Sequence, residues 1–354
     1  MARALALARR GLYSTRPNPA VGCVLVRDGV IVGEGWHRRA GEPHAEIHAL
    51  AQAGAAARGA TCYVTLEPCC HHGRTPPCAD ALITAGVARV VAAMRDPNPR
   101  VDGGGLARLA DAGIAVEHGL LAQAAAELNR GFVHRMVHGR PWVQAKMGAS
   151  LDGRTALPSG ESRWITSVEA RRDVQRLRAR AGVILTGIGT VLADDPELTV
   201  REPPVGFELA PTLRAVLDSR LRIPPASRVL AGGGTLVYTA VRDDAARTAV
   251  EARAATVVQI EGGPRPDLGR VLADLAARGV NEVLIEAGPT LCGAALQAGF
   301  VDELVLYLAP RLLGAGRGVA VLDGVDCLAD APALRIVEER RIGPDLRLVL
   351  APLR

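Results

Sequence analysis

The sequence has few aromatic residues, which make up 3% of its 354 positions. Proteins that bind single-stranded nucleic acid depend on aromatic side chains against which bases stack, so this composition disfavours that class. The net charge of +5 is mild and comes largely from arginine. The arginine-rich stretch at 171–180 has two interpretations, a solvated helix face or a site for an anionic ligand such as a phosphorylated small molecule.

The sequence also lacks a long apolar segment. No run approaches the roughly 18–20 residues that cross a bilayer, and the basic start MARALALARR has neither a signal-peptide core nor a small-residue cleavage site. We therefore expect a soluble cytoplasmic protein with no membrane partner. In a reducing compartment, the seven cysteines indicate metal binding or catalysis rather than a disulfide framework.

The length favours two domains, and the pattern of apolar segments restarts near residue 140. We predict domains at 1–140 and 141–354, both α/β, with a three-layer pattern in the first. In the first domain, a hairpin is expected around Asp28-Gly29, and a helix from His44 is expected to bury Ile47, Leu50 and Ala51. Its other predicted elements are strands at 20–26, 30–35, 61–66 and 89–93 and a helix at 78–85. The second domain has a predicted helix at 168–180 and predicted strands at 142–147, 183–186, 214–217, 235–238, 256–259, 282–285 and 303–308.

The segment from His44 to Cys78 collects residues that bind zinc. His-x-Glu, followed by Pro-Cys and a further cysteine, is the arrangement of zinc deaminases, in which the glutamate moves protons and does not bind the metal. Here His44, Cys69 and Cys78 are the candidate ligands and Glu46 is the candidate acid/base. Zinc lowers the pKa of a bound water to about 7, and Glu46 can return the proton to the ring nitrogen and to the leaving ammonia. We expect Cys69 at a helix start after Pro68, where the positive helix end favours a thiolate.

Two other zinc sites are compatible with the same segment. A closed structural site could recruit Cys70, His71 or His72. Alternatively, His44 and His48 could bind metal together, because they lie one helical turn apart. Glu46 would be incidental in either site. The remaining cysteines of the first domain, Cys23 and Cys62, lie in apolar strands and are expected to be inert core thiols.

The second domain carries no dinucleotide fingerprint, since neither a strand followed by GxGxxG nor GxxxxGK[ST] occurs. The glycine run at 231–235 is more typical of a turn. The segment IEAGPTLCGAAL at 285–296 predicts a strand, a Gly-Pro turn and a helix whose first amides are free to bind phosphate. An ordinary β–α turn is the alternative.

Eight residues separate Cys69 from Cys78, where the common deaminase signature has two. This departure and a series of longer motifs resemble the bifunctional riboflavin-biosynthesis deaminase/reductase family. The resemblance covers almost the whole chain, and its motifs are RPNPAVGCVLV (16–26), HAE (44–46), YVTLEPC (63–69), HGRTPPC (72–78), RDPNPRVDGGG (95–105), KMGASLDGRTA (146–156), SRWIT (162–166), TVLADDPELTVR (190–201) and IEAGPTL (285–291).

The resemblance implies a cytidine-deaminase-like first domain and a dihydrofolate-reductase-like second domain. It implies zinc-dependent deamination of 2,5-diamino-6-(5-phosphoribosylamino)pyrimidin-4-one, followed by NADPH-dependent reduction of the ribosyl group to ribityl. Carried over by motif, His44, Cys69 and Cys78 bind Zn²⁺ and Glu46 is catalytic. Weaker candidates for ribose or phosphate contacts are Asn18, His71, Arg74 and Asn98.

By the same resemblance, one set of residues in the second domain contacts NADPH: Gly148, Trp164, Thr190, Asp194, Ser219, Gly288, Pro289, Thr290, Leu291, Cys292, Gly293 and Ala294. Packing within the helix is the alternative for Cys292. A second set contacts substrate: Ser162, Arg178, Leu198, Arg201 and Glu286. Guanidinium groups suit phosphate, which favours that role for Arg178 and Arg201. Asp152 is expected to orient its loop.

Two other functions are compatible with parts of the sequence. One is a nucleoside or tRNA deaminase with a non-catalytic nucleotide-binding second domain, and another is a non-catalytic zinc-binding regulator. The long segment between the cysteines, the low aromatic content and the second-domain motifs disfavour the first rival, and Glu46 disfavours the second. We expect a phosphorylated pyrimidine as the partner and no nucleic acid; the resemblance leaves a homo-oligomer open.

Overall fold

The fold begins with the predicted hairpin. Strands β1 (Gly22–Arg27) and β2 (Val30–Trp36) pair antiparallel. Asp28 and Gly29 between them have φ of 52° and 77°, as two-residue Asp-Gly turns require. The hairpin prediction is confirmed, with strand ends displaced by one or two residues.

The computed structural model, which describes residues 1–71 and 77–353, divides into two units. The first contains Met1–Arg140 and Val205–Ala210, and the second contains Pro141–Pro204 and Pro211–Arg354. The first unit adds β3 (Thr61–Val64), β4 (Arg89–Ala92) and β5 (Ala115–His118) to the hairpin, giving the order β2-β1-β3-β4-β5 with β3, β4 and β5 parallel. Its α-helices are α1 (Ala2–Ala8), α2 (Ala45–Ala53), α3 (Cys78–Ala85), α4 (Gly104–Asp111), α5 (Ala122–Leu128) and α6 (Arg130–His138).

Helix α2 buries only part of the face that was predicted. Its buried residues are Ala45, Glu46 and Ala49. Leu50 is half-buried and packs against the core, but Ile47 is only half-buried and Ala51 is exposed, so the predicted face was right for Leu50 and wrong for Ala51. The physical reason is close packing against the hairpin: a Cβ added at Gly35 would lie 2.3 Å from the Ala45 carbonyl oxygen, and one added at Gly33 would lie 2.2 Å from the Ala49 carbonyl oxygen. Small residues therefore face the sheet, and Glu46 is drawn into the interior.

The second unit is built on one large sheet. Its strands are β6 (Trp142–Ser150), β7 (Arg154–Ala156), β8 (Val183–Gly187), β9 (Leu213–Leu217), β10 (Thr235–Thr239), β11 (Ala255–Gln259), β12 (Glu282–Ile285), β13 (Glu303–Ala309), β14 (Arg317–Gly318), β15 (Leu334–Ile342) and β16 (Asp345–Pro352). Its α-helices are α7 (Val168–Arg180), α8 (Ile188–Asp194), α9 (Asp244–Glu251), α10 (Leu268–Ala277) and α11 (Pro289–Gln297). The α/β prediction is confirmed for both units.

The large sheet has the order β11-β10-β9-β8-β12-β6-β13-β16-β15. The pairs from β11 to β13 are parallel, and β16 and β15 continue the sheet antiparallel. Strand β12 lies between β6 and β8, although it follows them by about a hundred residues. Because parallel strands end at the same edge, the segments after β6, β8, β9 and β12 converge there, where ligands of open α/β sheets bind. Among the described residues, no helix is both long enough and apolar enough to cross a membrane.

Candidate active sites

The first candidate site is formed by three side chains that the chain brings together from separate positions. His44 is the residue before helix α2, and Cys78 is the first residue of α3. The His44 Nδ1 atom lies 3.3 Å from the Cys78 sulfur and 3.7 Å from the Cys69 sulfur, and the three ligand atoms lie within 4.8 Å of one another. Tetrahedral zinc with bonds of about 2.0–2.3 Å separates its ligand atoms by roughly 3.3–3.8 Å. The donor set and its spacing therefore fit zinc.

The expectation that Cys69 begins a helix was wrong. Pro68, Cys69 and Cys70 have no regular secondary structure. The helix end that faces this sulfur is instead that of α3, because the Cys78 backbone N–H donates to the Cys69 sulfur over 3.3 Å. The favourable interaction of a helix N-terminus with a thiolate is thus present, but another segment supplies it.

The two cysteines and the histidine influence one another. The hydrogen bond with the Cys78 thiol lowers the pKa of Cys69, and the His44 ring and the Cys78 backbone N–H lower it further. The same thiol pair, together with burial, raises the pKa of Cys78. The hydrogen bond with Cys69 raises the pKa of His44. These shifts place the negative charge of the cluster on the Cys69 sulfur, beside the His44 ring, and zinc binding would require Cys78 to lose its proton as well.

Glu46 lies in the first turn of α2 with its side chain in the interior. The residue is 3% exposed, and its Oε2 atom has no hydrogen-bond partner among the described residues. Burial raises the pKa of Glu46 to about 7, against the opposing effect of His44. A carboxyl group with a pKa near neutrality both takes and gives up protons readily, which suits acid/base chemistry.

The alternative ligands are placed differently. The Cys70 sulfur is 4.0 Å from the Arg100 carbonyl oxygen. Within residues 1–71 and 77–353, the one group of three or more potential ligands consists of His44, Cys69 and Cys78. His72 and Arg74 lie outside the described residues. The two remaining cysteines of this unit, Cys23 and Cys62, are fully buried with sulfur atoms 3.5 Å apart.

Asn18, a weaker candidate, reaches the cluster through His37. The His37 Nδ1 atom is 3.2 Å from the Pro43 carbonyl oxygen, so this nitrogen donates. Its Nε2 atom then accepts from the Asn18 amide nitrogen at 3.0 Å, which leaves the Asn18 amide oxygen available to a ligand. The His37 and His44 rings lie edge to face with centroids 5.1 Å apart. No role was predicted for His37 from the sequence.

The second candidate site is a cleft of about 1680 Å³ in the second unit. Its lining comes mainly from β6, from helix α7 and from the segments that follow β7, β8, β9, β11 and β12. It brings together fifteen of the seventeen predicted residues: Gly148, Ser162, Trp164, Arg178, Thr190, Asp194, Leu198, Arg201, Ser219, Glu286, Gly288, Pro289, Thr290, Leu291 and Ala294.

Cys292 and Gly293 do not line the cleft. The Cys292 thiol is fully buried, 3.2 Å from the Met147 sulfur. A Cβ added at Gly293 would lie 1.8 Å from the Val321 carbonyl oxygen. These two residues pack helix α11 onto its neighbours, while the N-terminal end of the same helix faces the cleft.

An ion pair and a lysine stand out in the cleft. Arg178 donates from Nε and Nη2 to the two carboxylate oxygens of Glu286 at 2.6 and 2.9 Å, and from Nη1 to the Thr199 carbonyl oxygen at 2.9 Å. The Lys146 Nζ atom is 3.9 Å from Glu286. Burial alone would raise the pKa of Glu286, but Arg178 and Lys146 hold it below its ordinary value. Arg201 also lines the cleft and is exposed.

No role was predicted for Lys146, although the sequence contains a signal for it. Lys146 is the single lysine in a chain that otherwise uses arginine for its basic side chains. It also interrupts the apolar strand β6. Unlike the planar arginine guanidinium, a lysine ammonium is a compact point charge, so an arginine would not present the same group to the cleft.

Two family models match consecutive parts of the chain. The model of the cytidine and deoxycytidylate deaminase zinc-binding region matches residues 1–94, and the model of the RibD C-terminal domain matches residues 141–348. The first covers the His44–Cys69–Cys78 cluster and Glu46, and the second covers the cleft. The predicted deaminase-like and reductase domains are thereby confirmed as fold classes.

Full-length relatives agree with the two domain matches. The riboflavin biosynthesis protein RibD of Escherichia coli is 54% identical, covering 99% of this chain and 98% of the relative. The structure of Acinetobacter baumannii RibD, form 1, has 44% identity and a TM-score of 0.94, covering 100% of this chain and 98% of that one. A diaminohydroxyphosphoribosylaminopyrimidine deaminase/5-amino-6-(5-phosphoribosylamino)uracil reductase from Thermotoga maritima has 31% identity and a TM-score of 0.87, covering 100% and 97%. Similarity across both domains disfavours a nucleoside or tRNA deaminase with an inactive second domain. The chain belongs to the RibD family of riboflavin-biosynthesis proteins, with a zinc-dependent deaminase and an NADPH-dependent reductase.

Proposed function

We propose that the first unit deaminates the phosphoribosylamino-substituted diaminopyrimidinone at the His44–Cys69–Cys78 cluster and that the cleft of the second unit reduces the product. The observation that carries the proposal is the pairing, in one chain, of a three-ligand cluster beside a buried glutamate with a large cleft at the edge of a parallel sheet. Deamination replaces a ring C–NH₂ by C=O with water as the second reactant and ammonia as the second product.

In the deaminase site, His44, Cys69 and Cys78 hold the metal, which supplies Lewis acidity to the hydrolytic step when bound. Glu46 takes a proton from water and passes it to the pyrimidine ring nitrogen, and then assists protonation of the leaving amine. The buried position of its unpartnered Oε2 supports this role, because a buried acceptor without a partner is costly unless a ligand uses it. Asn18 and Asn98 are the proposed contacts to the rest of the substrate, Asn18 through its free amide oxygen.

In the reductase cleft, NADPH supplies the hydride when bound. At the N-terminal end of α11, the backbone N–H groups of Gly288, Thr290 and Leu291 are offered to the cofactor's phosphates, while Pro289 has no N–H. Gly148, Trp164, Thr190, Asp194 and Ser219 are the other proposed cofactor contacts. Ser162, Leu198 and Arg201 are proposed to contact the substrate, with Arg201 holding its phosphate.

Arg178 orients the Glu286 carboxylate toward the substrate, and Lys146 stands beside it. Lysine is only a hydrogen-bond donor. Deamination converts a donor amino group into an acceptor carbonyl, so if Lys146 donates to this position of the pyrimidine, it would favour the deaminated compound. Replacing Lys146 with methionine should narrow the preference of NADPH oxidation for the deaminated over the amino compound. An unchanged preference would remove Lys146 from this role.

A free phosphorylated pyrimidine is the proposed partner, with no nucleic acid, and the cytoplasm is the proposed location. The scarcity of aromatic residues disfavours nucleic acid, and the cleft of the second unit supports a small-molecule substrate. A homo-oligomer is compatible with this function. The decisive experiment supplies the diaminopyrimidine substrate to the zinc-loaded chain with and without NADPH. Ammonia release in both cases, and NADPH oxidation that depends on prior deamination, are the expected results; NADPH oxidation without ammonia release would contradict the proposal.

A further inference from the structure

Glu67 is a buried carboxylate that accepts four backbone hydrogen bonds. Its Oε2 atom accepts from the N–H groups of Asp96 and Gly103, both at 3.1 Å. Its Oε1 atom accepts from Gly105 at 2.9 Å and from Leu106 at 3.1 Å. The residue is 3% exposed. A carboxylate offers about four acceptor positions, so this side chain uses all of them on one neighbouring segment.

The peptide that follows Glu67 is held against the same segment. A Cβ added at Gly105, at the start of helix α4, would lie 1.8 Å from the Pro68 carbonyl oxygen. The Glu67 backbone N–H donates to the Met94 carbonyl oxygen over 3.0 Å. The stretch that leads from β3 to Cys69 is therefore fixed to residues 94–106 by side chain, backbone and close packing.

Cys69 is also held by helix α3. The Cys78 N–H donates to its sulfur at 3.3 Å, and the Ala79 N–H donates to its carbonyl oxygen at 3.2 Å. Pro68 and Cys69 belong to no helix or strand that would fix their positions. Glu67 thus supplies a second restraint, on the peptide that precedes Cys69.

We propose that Glu67 is a positioning residue that sets the place of Cys69 relative to the loop 95–103. That loop carries Asp96 and Asn98, and Asp96 is itself 7% exposed. Its Oδ1 accepts from the Asn98 N–H at 2.9 Å, so the loop is ordered around these two side chains. One carboxylate thereby couples a zinc ligand to the segment proposed to contact the substrate. The inference rests on the proposed deaminase function.

The test uses the full chain with Glu67→Gln. The amide keeps one acceptor oxygen and places an NH₂ donor against two N–H groups. Mutation of a side chain that orients a metal ligand typically lowers metal affinity or activity by about 10- to 100-fold. We expect zinc affinity, from competition with a chromophoric chelator, to fall within that range and the deaminase KM to rise. NADPH oxidation with the deaminated compound should stay within about two-fold.

Glu117→Gln is the matched control. This glutamate is in the same unit but its side chain is 60% exposed and pairs with Arg89, so zinc affinity and KM should not change. Gly105→Ala is a second, independent variant, because it keeps the carboxylate and only forces Pro68 and α4 apart; we expect it to weaken zinc binding in the same direction.

Wild-type zinc affinity together with wild-type kcat and KM in Glu67→Gln would overturn the proposal, whatever the melting temperature. If circular dichroism shows that Glu67→Gln does not fold, Gly105→Ala decides by the same measurements. Failure of both to fold would also overturn it, in favour of a purely structural role. Absence of deamination in the wild-type chain would instead contradict the proposed function, while the chelator competition would still report on Cys69.

Discussion

Arg178 and Glu286 form a two-point ion pair in the reductase cleft, with N–O distances of 2.6 and 2.9 Å. The two side chains are 12% and 10% exposed. A third N–H of Arg178 is bound to the Thr199 carbonyl oxygen, which leaves two of its five N–H groups for a ligand. Arg178 therefore acts first on Glu286 and on the segment that leads to Arg201. A solvated helix face, one of the two interpretations of the 171–180 stretch, does not describe this arginine.

Replacing Arg178 with alanine should destabilise the second unit and impair reduction. Removing one partner of a buried ion pair leaves an uncompensated charge and costs about 3–5 kcal/mol. Thermal unfolding and NADPH oxidation measure the two effects. Arg176→Ala is the matched control on the same helix, because Arg176 is 65% exposed and lies 3.6 Å from Asp173; its effect should be within about 0.5 kcal/mol. Equal, small effects at both positions would contradict this account.

The same ion pair predicts an acid dependence of stability. The pKa of Glu286 is held below its ordinary value, so its contribution is present above the unfolded-state pKa of about 4.3 and is lost as pH falls through the lower folded-state value. In Arg178→Ala, burial still raises the pKa of Glu286, but of the two main opposing charges only Lys146 remains to lower it. The loss of stability on acidification should therefore be smaller than in the wild-type protein. Melting temperatures of the second unit between about pH 3 and pH 7 test this; an identical acid dependence in both proteins would exclude Glu286 as its source.

Arg201→Ala should weaken substrate binding in the reductase cleft. If this exposed arginine holds the phosphate, the lost charge-assisted contact is worth roughly 1.5–3 kcal/mol, or about a ten- to hundred-fold rise in KM. The NADPH KM and the deamination rate should change little. Arg172→Ala offers a control, because Arg172 is 66% exposed and pairs with exposed Glu202 at 3.4 Å. A similar substrate KM in Arg201→Ala and Arg172→Ala would show that Arg201 does not bind the phosphate.

Most strands up to β13 could be predicted because apolar periodicity and turn residues mark them, but the short strands β7 and β14 were missed. Helix α7 was predicted with both ends correct, Val168 to Arg180, since Ser167 caps it by accepting from the Ala170 N–H. The last two strands were missed. Strand β15 contains the consecutive charges Glu338 to Arg341 and is exposed along nearly its whole length, so it shows neither alternation nor an apolar run.

The cluster residues were found from spacing because zinc chemistry restricts the residue types. Glu67 and His37 were not found, since their roles arise from backbone groups distant in sequence: the N–H groups of 96–106 for Glu67 and the Pro43 carbonyl oxygen for His37. The hydrophobic periodicity of a sequence carries no information on such contacts. The buried face of α2 was mispredicted in part for a related reason, because hydrophobicity favoured Ile47, whereas the close approach of Gly33 and Gly35 selects alanines.

Removing one sulfur of the cluster should remove the metal. Cys69→Ala and Cys78→Ala each leave two protein ligands, and we expect both purified variants to lack zinc by elemental analysis. Cys70→Ala is the matched control, because its sulfur lies near the Arg100 carbonyl oxygen and outside the cluster. Zinc loss in Cys70→Ala, or full zinc content in Cys69→Ala, would show that the ligand assignment is wrong.

Glu46→Gln should separate metal binding from catalysis. Glutamine keeps the size of the buried side chain but cannot take and return a proton, and a positioned acid/base contributes typically 10²–10⁴-fold to rate. We expect ammonia release to fall by about that factor while zinc content stays at the wild-type level. Reduction of externally supplied deaminated compound should continue, because Glu46 and the cleft lie in different units. Loss of zinc together with activity would make Glu46 a structural residue of the metal site, and loss of NADPH oxidation in a folded variant would show that the two reactions are coupled through the protein.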